Sequence, residues 1–361
     1  MKPIKIVTVL LPFLLLLPVY CFGATESTEP DKAPKKLYTL PIIFSSPETG
    51  LALGAMCEYY PNLEVSSLGQ KPGQLSIVLF GAEKGQYVGD FNVSKYFSEG
   101  KQWLLIHTGF MNSSSYFYGI GPDATVDQKE KYTIVGPTLN ASYLWDLKDH
   151  FYLGPAIFYS NIAITDKAPG GLLAQGDITG SDGTTVAGIG INVIWDKTKD
   201  FARQGYKVSL LAYDSAKDLG SDEGFSWVSL DYRNYIPISQ DRLFAIQSVL
   251  VSTNGAVPFE FLPSMGPTLR GIEGARFCDQ NYLAFQGEYR FPIRGIFSMA
   301  VFGGFGEVAP SLNELNSEDL KVMGGVGFRF ALDKEHHVLL RLDVAGTFDN
   351  PLVYFSFGEA F

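Results

Sequence analysis

From about Leu37 onward, hydrophobic and polar positions alternate, the period of strands whose successive side chains point to opposite faces. In 186–196, Ala187, Ile189, Ile191, Val193 and Trp195 share one face, while Gly188, Gly190 and Asn192 take the other. In 283–291, Leu283, Phe285, Tyr289 and Phe291 oppose Ala284, Gln286, Glu288 and Arg290. Val228, Leu230 and Tyr232 oppose Ser229, Asp231 and Arg233; Val338, Leu340, Leu342 and Val344 oppose Arg341 and Asp343. The pattern predicts sixteen strands: 38–44, 51–60, 74–83, 86–97, 103–114, 132–146, 150–164, 186–197, 205–216, 225–237, 242–254, 281–292, 296–308, 321–332, 337–348 and 352–361. Most run roughly 10–14 residues, long for a soluble sheet and suited to tilted strands that cross a bilayer.

The connections sort into two sets. Those at 147–149, 238–241, 293–295 and 333–336 are tight; those at 115–131, 165–185, 217–224, 255–280 and 309–320 are longer. A chain entering from the periplasm places the tight set inside and the long set outside, as in outer-membrane barrels. A long inner turn at 61–73 and a short outer loop at 84–85 depart from this scheme. The expected fold is all-β: one transmembrane antiparallel β-barrel of about 16 strands over 37–361, closed by pairing the last strand with the first, because an open edge in lipid leaves backbone groups unsatisfied.

Composition supports this. With 46% hydrophobic and 18% charged residues the chain is too apolar for disorder. Its 38 Gly, 19 Tyr and 27 Phe suit curved strands that meet membrane interfaces. Residues 1–23 have the layout of a cleaved secretory signal: Lys2 and Lys5, an apolar run over 6–19, then Cys21-Phe22-Gly23. Residues 24–36 form a short periplasmic leader. Removing Lys2 and Lys5 with the signal takes the net charge from −10 to −12, which disfavours nucleic acid as a partner. No other stretch approaches the ~20 apolar residues of a spanning helix. Cys57 and Cys278 read as separate thiols, although an exported chain could join them. No Gly-x-Ser-x-Gly elbow, His-Glu-x-x-His site or phosphate-binding loop occurs. His107 on a strand near Ser113–Ser115 and the turn pair His336-His337 are weak signals for catalysis or metal. No enzyme activity, metal or cofactor is expected.

One stretch carries a family resemblance: Thr268-Leu269-Arg270-Gly271-Ile272-Glu273-Gly274-Ala275-Arg276-Phe277-Cys278-Asp279, followed by YLAFQGEYRFP over 282–292. It resembles the bacterial surface antigen domain of the BamA/TamA superfamily of outer-membrane assembly and translocation barrels. That family carries an Arg-Gly-aromatic motif on its sixth outer loop, which folds into the lumen, and Arg270-Gly271 falls on the sixth outer loop counted from alternation. Tyr116-Phe117-Tyr118-Gly119-Ile120-Gly121 resembles the family's Tyr-Gly-x-Gly element, and 196–205 resembles its Asp-x-Arg-Asp turn followed by Gly. Ser356-Phe357-Gly358-Glu359-Ala360-Phe361 resembles the C-terminal strand signal read by the barrel assembly machinery, with Phe357, Gly358 and Phe361 as its carriers. Three departures stand out. Ile272 replaces the aromatic, Gly304 stands on strand thirteen where a partner Asp is common, and 24–36 leaves no room for the periplasmic repeat (POTRA) domains, implying a repeat-less member.

The resemblance implies that Arg270 and Gly271 form the tip of a loop locked inside the lumen. Facing makes Glu288 the expected carboxylate partner, with Arg276, Asp279 and Arg290 as further members of the network. The implied function is insertion or passage of proteins or lipids at the outer membrane through a lateral opening between first and last strands. The implied partners are outer-membrane lipid, the barrel assembly machinery during the chain's own insertion, and an unidentified protein or lipid client. Two other readings fit the same residues: a passive channel plugged by the loop, and a structural or adhesion barrel whose long outer loops bind a partner.

Overall fold

The computed structural model describes residues 36–46, 49–61, 73–199, 203–316, 318–333, 338–347 and 350–361. The expected signal peptide, the leader before Lys36 and the His336-His337 pair lie outside the described residues.

Sixteen strands follow one another: β1 (Lys36–Ser46), β2 (Gly50–Tyr60), β3 (Gln74–Ala82), β4 (Tyr87–Phe97), β5 (Gln102–Phe117), β6 (Glu130–Lys148), β7 (Phe151–Thr165), β8 (Gly183–Asp196), β9 (Gly205–Ser215), β10 (Phe225–Ser239), β11 (Arg242–Gly255), β12 (Asn281–Arg294), β13 (Phe297–Ala309), β14 (Lys321–Asp333), β15 (Val338–Thr347) and β16 (Asn350–Phe357). Each pairs antiparallel with its sequence neighbours in a single sheet, and each overlaps one predicted segment. The alternation in the sequence becomes an inside-out partition. Ile189 is 58% exposed and Val301 48%, whereas Glu288 and Asp343 on the opposite face are fully buried. Apolar side chains outside and charges within are what a membrane-spanning barrel wall requires, and the inverse of a water-soluble domain.

The interior is filled by the chain between β11 and β12. Val257, Phe259 and Leu262 pack with Phe117, Tyr132, Ile164, Val186, Tyr213 and Phe225, one from each of β5 to β10. Further on, Met265, Leu269, Ile272 and Phe277 pack with residues of β11 to β15, among them Tyr282, Phe302, Met323 and Ala345. The sheet therefore curls around this loop. Four register shifts, between Asp146/Lys148, Pro237/Ser239, Pro292/Arg294 and Ala331/Asp333, all fall beside the tight turns. Bulges there add local twist at one rim of the sheet.

Two expectations need correction. The predicted last strand, 352–361, ends at Phe357. Gly358 takes φ +70°, a left-handed conformation that glycine reaches without strain. The chain then turns inward, and Phe361 packs against Tyr235, Leu243 and Ala245 while its carbonyl accepts from Arg290 Nη2 at 3.1 Å. Burial of the Phe361 ring and capture of Glu359 by Arg329, at 3.1 Å, draw these residues off the strand. The expected seam is also different: among the described residues no ladder joins β16 to β1. With only eight residues and an inward turn at Gly358, β16 offers β1 a short edge.

Candidate functional site

Loop 256–280 is held at two places. Its first arm is apolar: Phe259 meets the rings of Phe117 and Tyr132 edge-on, at 5.2 and 5.5 Å between centroids. Glu260 sits in the same cluster and accepts a short hydrogen bond from the Tyr132 hydroxyl. Burial pushes the Glu260 carboxyl up from its ordinary 4.5 to about 7, since an apolar setting penalises the charged form. The loop between β5 and β6 clasps the returning arm. Gly121 N–H donates to the Cys278 carbonyl at 2.8 Å, Tyr118 Oη to Glu273 Oε2 at 3.0 Å, and Arg276 Nε to the Ala124 carbonyl at 3.2 Å. The Tyr-Gly-x-Gly element thus touches the loop that carries Arg270.

The tip is ionic. Arg270 Nη2 donates to Glu288 Oε2 on β12 at 2.5 Å and Nη1 to Asp343 Oδ2 on β15 at 2.6 Å. Its guanidinium lies 3.5 Å from the centroid of the Phe302 ring on β13, a cation–π contact. Glu288 also accepts from Arg290 Nε at 2.7 Å and Arg329 Nη2 at 2.8 Å, and Arg329 Nη1 reaches Asp343 Oδ1 at 2.6 Å. Both carboxylates are fully buried and the Arg329 side chain is 1% exposed, so each charge depends on its partners for solvation. Gly271 N–H donates to Tyr354 Oη on β16 at 2.8 Å. Gly271 takes φ +95°, and a side-chain carbon there would collide with the backbone of Gly346. Only glycine lets the tip lie this close to β15.

The structure brings together three of the sequence-predicted residues, Arg270, Glu288 and Arg290, with Gly271 beside them. It places two others elsewhere. Arg276 stacks near Phe277 and bonds the Ala124 carbonyl, and Asp279 Oδ1 accepts from the Gln280 N–H at 2.8 Å. Cys278 is buried, its thiol pushed up to about 12 by that burial, and neither it nor Cys57 is in a disulfide. His107 Nε2 lies 2.6 Å from Asp90 Oδ2, while Ser114 Oγ accepts from Gln86 instead.

Sequence reasoning missed Asp343, Arg329 and Glu359. Asp343 on β15 supplies Arg270 with a second carboxylate; on β13, where the resemblance makes a partner Asp common and Gly304 stands, Phe302 supplies a ring face. The signal for Asp343 was present: it shares the inward face of 338–344 with Arg341. The register was not, because the shift between Ala331 and Asp333 decides that Gly327 and no bulkier residue faces Asp343. A side chain at 327 would occupy the space of the Asp343–Arg329 pair.

These features define a sixteen-stranded barrel whose interior is occupied by the loop between β11 and β12, tied to the wall by arginine. Among solved structures, the chain is similar to the crystal structure of BamA from Haemophilus ducreyi lacking POTRA domains 1-3, with a TM-score of 0.53, 13% identity, and coverage of 90% of this chain and 69% of that one. At that identity the likeness establishes the fold: this is a BamA-like barrel. No family model matches the chain, and no curated protein matches its sequence.

Proposed function

We propose that this protein is an integral outer-membrane barrel that takes part in the insertion or passage of proteins or lipids. The observation that carries the reading is the conjunction of a loop tip fixed by Arg270 to β12 and β15 with a β16 edge that has no ladder to β1 among the described residues. The loop tip, through Gly271 and Tyr354, holds β16 in place, so that edge is presented at a fixed position on the wall. Main-chain groups on such an edge are unsatisfied in lipid and accept an incoming strand or exchange with lipid headgroups at low cost. The reading involves no covalent chemistry and no cofactor; exported chain, lipid and an unidentified client are its partners.

The test is the composition of outer membranes from cells lacking the protein, complemented with wild type or Arg270→Ala. Loss of a defined set of proteins or lipids, restored by wild type and not by the variant, is expected and names the client. Unchanged composition overturns the reading. The second reading, a loop-plugged channel, is favoured by the packing of the loop against β5 to β15. It predicts unchanged composition together with a sharp rise in single-channel conductance of Arg270→Ala in planar bilayers.

A further inference from the structure

The loop packs on β5 to β16, and neither cluster it forms takes in a residue of β1 to β4. The interior is open to solvent beside those strands. His107 and Asp90 point inward, opposite the outward Phe91 and Phe110, yet their side chains are 54% and 32% exposed. The wall there differs from that of β12, whose inward row holds Gln286, Glu288 and Arg290. Ile42 on β1, Met56 on β2, Val78 and Phe80 on β3, Val88 on β4 and Met111 on β5 lie in two adjacent inward rows, all half-buried. The next row, nearer the turn between β4 and β5, is polar: Glu58, Ser76, Asn92, His107 and Asn140 are successive cross-strand neighbours. Contiguous apolar side chains that face solvent with polar groups along one side mark a binding surface. The patch also reaches the sheet edge. β1 is apolar on both faces, with Leu37, Pro41 and Ile43 outward and Tyr38, Leu40 and Ile42 inward. As β1 has no ladder to β16 among the described residues, inner patch and outer wall meet around a strand with no charge over 37–43.

We propose that the inner face of β1 to β5 binds the acyl chains of an aminophospholipid, its headgroup lying on the polar row from Glu58 to Asn140. The inference rests on the function proposed above and narrows its client to lipid. Backbone chemistry selects hydrocarbon over a peptide strand. The main-chain groups of β2 to β4 are engaged in ladders on both sides, so the apolar rows offer an incoming peptide no partner for its own N–H and C=O groups. An acyl chain has no such need, and it reaches the patch around β1 without crossing a charged surface. Charge selects the headgroup. The polar side of the patch carries two carboxylates, Glu58 and Asp90, and no lysine or arginine stands on the inward face of β2 to β5. Glu58 is almost fully buried and accepts from Gln74 at 2.7 Å, so Asp90 is the exposed one. Asp90 accepts from Asn92 Nδ2 at 2.6 Å and lies 2.6 Å from His107 Nε2. A carboxylate has about four lone-pair sites, which leaves room for an ammonium. Ser76, Asn92 and Asn140 are the donors along the row for phosphate and ester oxygens. A net-anionic headgroup meets the wrong sign there.

The test uses the full chain purified in non-ionic detergent and counts bound lipid by native mass spectrometry. Phosphatidylethanolamine is titrated against phosphatidylglycerol with the same acyl chains. Wild type should hold phosphatidylethanolamine about fivefold more tightly. Val78→Asn places an amide in the inner patch and should weaken both lipids about tenfold. Leu79→Asn, the next residue but on the outward face, should match wild type. Asp90→Asn should lose the preference for phosphatidylethanolamine and keep the affinity for phosphatidylglycerol. Equal weakening by Val78→Asn and Leu79→Asn assigns the lipid to the outer wall and overturns the proposal, as does a wild-type preference for phosphatidylglycerol. Should Val78→Asn fail to fold, an undiminished preference in Asp90→Asn overturns it instead. Because binding is read on purified protein, its failure is distinct from that of the transport reading. Unchanged membrane composition beside Val78-dependent binding removes the transport role alone, and altered composition without such binding removes the lipid site alone.

Discussion

The two ends of loop 256–280 are anchored by opposite physics. The first arm buries Val257, Phe259 and Leu262 among aromatic rings of β5 to β10, an attachment that is non-directional and roughly proportional to the area removed from water. The tip places one guanidinium between two fully buried carboxylates and a ring, an attachment that is directional and intolerant of a missing partner. An apolar anchor tolerates sliding; an ionic one has a single register. The arm therefore supplies adhesion and the tip supplies position, which is why the tip, and not the arm, lies beside β16.

The largest effect expected from breaking this contrast is at Glu288. It is fully buried and receives Arg270, Arg290 and Arg329, so Glu288→Ala takes one partner from three guanidiniums at once and leaves the cluster short of a buried negative charge. A loss of about 5 kcal/mol is expected, the upper end for removing one partner of a buried pair, measured by urea unfolding of the barrel in lipid vesicles. Phe259→Ala should cost somewhat less, about 3 kcal/mol, because it removes a ring that is 5% exposed and leaves a cavity. If arm and tip are separate anchors, the double variant should lose the sum of the two to within about 0.5 kcal/mol. A larger coupling would mean that the loop is one rigid body and that the contrast is only chemical.

A pH titration sharpens the contrast within the arm. The Glu260 carboxyl is pushed up from 4.5 to about 7 by burial. Between those values the folded state binds a proton that the unfolded state has released, so stability is greatest below pH 4.5 and falls as pH rises through about 7. The span is roughly 2–3 kcal/mol. Glu260→Gln keeps an acceptor for Tyr132 and carries no charge, so its stability should be flat across that window and exceed that of wild type at pH 8. An equal slope in both proteins would assign the titration to another group.

Much of this was legible before any fold was known. Alternation located all sixteen strands, and the facing of Glu288 and Arg290 opposite Leu283, Phe285 and Tyr289 survives unchanged, because a period of two leaves no freedom once one face is lipid-exposed. Arg270 was legible only through its resemblance to a family motif; by pattern alone it is an arginine in a loop. Register was not legible, and with it went Asp343 and Arg329, whose meeting depends on a bulge and on Gly327. The end of the chain was misread for a related reason. Phe357, Gly358 and Phe361 have the spacing of a strand, and only the positive φ of Gly358 and the distant pocket of Tyr235, Leu243 and Ala245 turn Phe361 inward.

The smallest effect addresses the contact between tip and edge strand. Gly271 N–H donates to Tyr354 Oη, the one hydrogen bond that ties the loop backbone to β16 among the described residues. Tyr354→Phe keeps the ring, which packs against the Leu269 and Ile272 cluster, and deletes only the acceptor. The cost in overall stability should be about 1 kcal/mol, barely separable from error in a global unfolding curve. Hydrogen exchange discriminates better, because it reads opening at the amide concerned. If the tip positions β16, the Gly271 amide and the amides of 352–356 should exchange roughly fivefold faster in Tyr354→Phe, while those of Val186 and Tyr213, which face the apolar arm, stay at the wild-type rate. Equal acceleration at both ends would mean that the hydroxyl stabilises the whole interior and that position and adhesion are not divided between the two anchors.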